Sequence, residues 1–169
     1  MLSLMAILER SRRLCRRLRV GLLLAASLWL PPASLEAAGP PTIRTVAMHL
    51  AFDRAVERLE MSIASNEMLL VTRASASAGA AARGISIPGN AVLDVFRNDY
   101  AVRMLRNSIA AGIEAPLRLY VTEGPDGRAT VIYRLPSHVF APYGDGDLAV
   151  MARELDTILA KIVGDAAGR

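Results

Sequence analysis

From residue 42 onward the apolar and polar positions change period several times. Thr42 to Leu50, "TIRTVAMHL", alternates and is β-branched at its start, which predicts a strand. Phe52, Val56, Leu59 and Ile63 then recur at helical spacing, with Arg54, Glu57, Arg58 and Glu60 between them. That spacing predicts an amphipathic helix over 52–65. "MLLVTRA", Met68 to Ala74, reads as a second strand. The small-residue stretch that follows reads as a loop with a helical turn around Ala78 to Arg83. "AVLDVF", Ala91 to Phe96, is a third strand. Asn98 and Asp99 are expected to cap a helix from Tyr100 to Ala111. Its expected inward row is Ala101, Leu105 and Ile109, and Gly112 is expected to end it in the left-handed conformation.

"PLRLYVTE", Pro116 to Glu123, and "RATVIYRL", Arg128 to Leu135, flank Gly124-Pro125-Asp126-Gly127. Proline fixes φ, aspartate forms turns and glycine accepts positive φ, so this segment predicts an antiparallel hairpin. Leu117, Leu119 and Val121 share one face, with Val131 and Tyr133 on the matching face of the partner strand. "PSHVFAPYGDGD" reads as a loop. Asp145 or Asp147 is expected to cap a last helix, from Asp147 to about Asp165, with Met151, Leu155, Ile158 and Ile162 inward. Met61, Met68, Met104 and Met151 are expected to fill the core. The order β-α-β-β-α-β-β-α predicts an α+β domain with a single largely antiparallel sheet covered by helices.

The first 37 residues follow a different logic. The basic run "RSRRLCRRLR" precedes "VGLLLAASLWL" and then "PPASLEAA". Basic, apolar and small-residue regions in that order predict a signal peptide, with cleavage near Ala37 and Ala38. Val20 to Leu30 is short for a spanning helix, which needs about 20 apolar residues. Export to the periplasm or cell surface is therefore expected. The alternative is an uncleaved leader that anchors the chain to the inner membrane, the only membrane contact expected. Residues 38–41 read as a linker and 42–167 as the domain.

Dividing the charge at this boundary changes its meaning. The whole chain has 20 basic and 16 acidic residues, a net charge of +4. Residues 1–37 hold all of that excess, because they carry six arginines and two glutamates. The remainder is balanced, so no nucleic-acid partner is expected, since that would ask for a net basic surface. The one cysteine, Cys15, lies in the leader. Thiolate catalysis, disulfides and cysteine metal sites are thus excluded for the domain.

The order of elements, together with particular residues, resembles the bacterial domain-of-unknown-function family 302 (DUF302). Phe52, Val56 and Leu59, "VTRASASAGAAARGISIP", "DVFRN", "AAGIEAPLRLYVTEGPDG" and Tyr133 to Pro136 carry the resemblance, over about Thr42 to Ala167. It implies a fold similar to the TATA-binding-protein-like group and admits a dimer, but it implies no activity. Members often carry a histidine in the loop after the second strand, where this chain has Ser75-Ala76-Ser77. Members often have Gly-Asn-Pro after the third strand, where this chain has Arg97-Asn98-Asp99. Members often have Asn or Asp after the tyrosine of the fifth strand, where Arg134 and Leu135 stand between Tyr133 and Pro136.

Candidate chemistry is sparse. The two histidines are His49 and His138, and no nucleophile-elbow pattern accompanies either. "YGDGDL" lacks the further oxygen ligands of a calcium loop, so no metal site is expected. "ARGISIPG" has neither a phosphate-loop lysine nor a dinucleotide fingerprint, so no cofactor is expected. Arg103 and Arg106 share a helix face beside Arg97, which reads as a solvated surface near Asp99 and Glu114 rather than an anion site. The Ser75–Gly89 loop reads as a long connection rather than a lid. The expected function is non-catalytic binding of a small ligand or partner protein, with Asn98, Arg118, Tyr133 and His138 at the mouth of an apolar groove. One alternative is a structural homodimer or assembly module. Another is an enzyme with no catalytic residue assigned beyond a relay of His138 with Asp145 or Asp147.

Overall fold

The computed structural model describes residues 42–169; the leader and linker expected over 1–41 lie outside the described residues. Five strands form one sheet: β1 (Ile43–Ala51), β2 (Leu69–Ala74), β3 (Asn90–Phe96), β4 (Leu117–Glu123) and β5 (Arg128–Arg134). Their spatial order is β1-β5-β4-β3-β2, and every pairing is antiparallel. The helices are α1 (Phe52–Ser65), α2 (Ala76–Ala81), α3 (Asn98–Asn107), α4 (Pro136–Phe140) and α5 (Asp147–Ala167). The expected α+β class with a single antiparallel sheet is the one found. The predicted order had neither α2, expected only as a helical turn, nor α4, expected as loop, because the six residues of the one and five of the other are too few to show a helical period.

Period-two alternation places Ala91, Leu93 and Val95 of β3, Leu117, Leu119 and Val121 of β4, and Ala129, Val131 and Tyr133 of β5 in the core. The hairpin register pairs Leu119 with Tyr133 and Val121 with Val131, residues that share a face as the sequence predicts. Its turn is closed by the Gly127 N–H donating to the Gly124 carbonyl at 2.9 Å, with Gly127 at φ 74°. The helices cover this face. Val56, Leu59 and Ile63 of α1 are fully buried, as are Leu159 and Ile162 of α5. Ser62 is buried where these two helices meet, and its hydroxyl donates to the Ile162 carbonyl at 2.8 Å. Ser62→Ala removes that link without changing the shape of the contact. It is expected to cost about 1 kcal/mol in denaturant unfolding.

Several local expectations are corrected. The α3 helix stops at Asn107, not Ala111, and its buried residue is Met104. Leu105 is 46% exposed and Ile109 83% exposed, so two of the three residues expected to face inward face out, while Ala101 is half-buried. The reason is length. Once the helix ends, Ile109 no longer keeps its phase, and the chain makes a separate 3-10 turn over Ala110–Glu114. Gly112 sits inside that turn, so it is not a left-handed helix end. Nor do the expected caps form. Asn98 is the first residue of α3, behind Arg97, and Gly146 precedes α5; neither position has a side-chain cap bond. Asp99 instead accepts from Arg97 Nε at 2.8 Å. Met68, Met104 and Met151 are buried, but Met61 is 55% exposed, and Met48 takes a core position that the sequence did not single out.

The α3 helix is tied to α5 by charge. Arg103 donates to both oxygens of Glu154, at 2.6 and 3.2 Å, and the Tyr100 hydroxyl donates to Glu154 at 3.1 Å. The Arg97 and Arg103 guanidinium groups lie 4.3 and 5.5 Å from the centre of the Tyr100 ring. The hydrogen bonds from Arg103 hold the Glu154 carboxyl below its ordinary pKa, against a smaller opposing effect of desolvation. Two of the three arginines read as a surface patch are thus structural, and the main carboxylate partner is Glu154 rather than Glu114.

Candidate functional site

The face of the sheet opposite the helices has no layer over it among the described residues. Cross-strand register arranges its side chains in rows. One row runs Thr45, Ile132, Tyr120, Val92 and Ala74 across all five strands. The next row, toward the end where β4 begins, contains Ile43 paired with Arg134, and Arg118 paired with Asp94, which pairs with Thr72. Continuing the Leu119–Tyr133 register by one residue sets Arg118 beside Arg134.

At that end a groove of about 320 Å³ opens to solvent, at the lower end of the range of about 300–1,000 Å³ typical of ligand sites. Ile43, Ile113, Tyr120 and Ile132 supply apolar wall, and Arg118 and Arg134 supply the positive charge. The third ionised group at the groove, Glu114, accepts from the Tyr143 hydroxyl at 2.7 Å. That bond, with a smaller contribution from desolvation, raises the Tyr143 pKa. Asp94 does not line the groove. It accepts from Thr72 at 3.2 Å, and its other oxygen stands 3.6 Å from Arg118 Nε. The Arg118 side chain is 73% exposed, so most of its donors face solvent.

The four sequence candidates separate. Arg118 and Tyr133 both line the groove. Tyr133 belongs to the core-facing row of β5 and is only 5% exposed. Burial raises its pKa, Arg44 lowers it and Asp156 raises it, which associates its hydroxyl with groups on the helix side. Asn98 is exposed at the start of α3 and does not line the groove. His138 is half-buried in α4 and also does not line it, although its neighbour Val139 does. The Nδ1 of His138 is buried without a hydrogen-bond partner among the described residues, so no carboxylate holds it as a relay would require. No three His, Asp or Glu side chains converge as a metal site among the described residues. Sequence reasoning missed Ile43, Ile113 and Arg134. Arg134 had a signal, because alternation puts it on the face of β5 opposite Val131 and Tyr133, which is the face Arg118 takes in β4.

A family model described as "Domain of unknown function DUF302" matches residues 44–166, nearly all of the described domain. The chain belongs to the DUF302 family. The crystal structure of an uncharacterized conserved DUF302 protein from Bacillus stearothermophilus is similar, with a TM-score of 0.67 at 20% identity. The match covers 75% of this chain and 99% of that one. At that identity the likeness speaks for the fold. No curated protein matches the chain. The DUF302 assignment carries the architecture and names no activity.

Proposed function

We propose that this DUF302 domain is a non-catalytic binding module that takes a small ligand in the groove at the β4–β5 end of the open sheet face. The observation that carries this reading is the convergence of three isoleucines and two arginines from β1, the Ala110–Glu114 turn, β4 and β5 on one solvent-open concavity. Apolar wall supplies affinity and a few polar groups supply orientation. Nile red, a neutral apolar probe, tests it. Its fluorescence is expected to rise with the purified protein. Ile132→Glu, which puts a charge into the wall at a half-buried position, is expected to remove that rise. Equal enhancement by the variant would place the probe elsewhere and overturn the reading.

A second reading follows from the rest of the open face. Leu69 is 61% exposed and Tyr120 41%, apolar surface on either side of the Thr72–Asp94–Arg118 row that supports a homodimer. It predicts a concentration-dependent mass in light scattering. For location, the order of regions in residues 1–37 supports export with a cleaved leader, or an inner-membrane anchor if cleavage does not occur. An N-terminus near Ala38 in mass spectrometry of the native protein distinguishes the two.

A further inference from the structure

Resting on the groove reading above, we infer that the ligand is a small monoanion with an apolar body, its carboxylate or equivalent head bridging Arg118 and Arg134. The argument starts from the sheet. Like charges placed opposite one another on neighbouring strands destabilise the pair, so adjacent arginines are an unfavourable choice unless something neutralises them. The register sets Arg118 beside Arg134 on the open face, and both line the same groove. Arg118 has Asp94 on its far side, but only at 3.6 Å from Nε, and Asp94 is shared with Thr72. Arg134 forms no ion pair among the described residues and has Ile43 as its other cross-strand neighbour. The Glu114 carboxylate at the groove is hydrogen-bonded by Tyr143 instead.

Two guanidinium forks facing one opening are suited to a planar anion, which accepts paired N–H donors from arginine. Beside them, Ile43, Ile132 and Ile113 offer no hydrogen bonds and favour hydrocarbon. The size also limits the ligand. At about 30 Å³ for each water-sized group, the groove holds roughly ten such groups. Octanoate, with ten non-hydrogen atoms, is therefore a fitting probe.

The experiment is calorimetric titration of the purified full chain with octanoate, 1-octanol and octylammonium at low salt. Octanoate is expected to bind about tenfold or more tightly than octanol, the scale of one good charge-assisted contact, and octylammonium most weakly. The double variant Arg118→Gln/Arg134→Gln is expected to lose the octanoate preference while still binding octanol, which also shows that it is folded. Octanol binding as tightly as octanoate would overturn the anion inference and leave the groove reading standing. So would a preference that survives in the double variant, or tighter binding of octylammonium. Failure of all three probes, with Nile red indifferent to Ile132→Glu, would overturn both.

Discussion

Leu119→Ala is expected to lower the unfolding free energy by about 2–5 kcal/mol, with an unchanged denaturant slope. Leu119 is fully buried at the middle of β4, the central strand of the sheet. It pairs with Leu93 of β3 on one side and Tyr133 of β5 on the other. Both neighbours are buried and held by their own strands, so the space left by the lost carbons cannot close easily. The loss is a large share of the 5–15 kcal/mol typical of a whole domain. The adjacent Tyr120 provides the control. It points to the open face and is 41% exposed, so Tyr120→Ala is expected to cost much less in dilute solution. Urea melts of the two variants check this. Equal losses would mean that the two faces of β4 are wrongly assigned.

Such contrasts show what the sequence held. The hairpin was legible because strict alternation fixes the facing of both strands and the Gly124–Gly127 segment marks the reversal, whereas the register is set by Gly124 pairing with Arg128. The α1 helix was legible because one apolar stripe repeats over its whole length. The α3 helix was misread for a physical reason. With fewer than three turns, several rows are compatible with its pattern, and the choice between Met104 and Leu105 depends on where α5 docks. The Tyr100–Arg103–Glu154 contacts show that docking, yet Glu154 lies 51 residues after Arg103. The small-residue loop was legible as a connection with a helical turn, but not its cap. Ser75 accepts from the Ala78 N–H at 3.1 Å, which starts α2 two residues earlier than expected. At the candidate site, Arg118 was named from its strand, whereas Ile43 and Ile113 reach the groove from distant segments. No local pattern brings those together. Asn98 and His138 were expected as polar groups at the groove's mouth, and the topology leaves both outside the groove.

Gly89→Ala is expected to destabilise the domain by about 1–3 kcal/mol, the usual cost of overpacking. A Cβ built on Gly89 would lie 2.7 Å from two carbons of the Phe52 ring and 3.0 Å from Glu123 Oε2. The backbone of Gly89 does not occupy the left-handed region, so the cost comes from space and not from φ. In an open position the same change would stabilise by about 0.4–1 kcal/mol, through the unfolded chain. The sign of the effect is therefore diagnostic. The site is crowded because three elements meet there. The Gly89 N–H donates to Glu123 Oε2 at 2.6 Å, the Glu123 N–H donates to the Gly89 carbonyl at 2.8 Å, and Phe52 opens α1. Phe52→Ala removes both carbons of the contact, Cγ and Cδ1. In that background the cost of Gly89→Ala is expected to fall by at least about half, measured as a double-mutant cycle in urea. An unchanged cost would show that Phe52 is not what the new methyl meets. The crowding also bears on the Ser75–Gly89 loop, because its last residue is held between α1 and the end of β4. Any motion of the loop must then arise upstream, around the exposed Ile85 and Ile87, and not at its junction with β3.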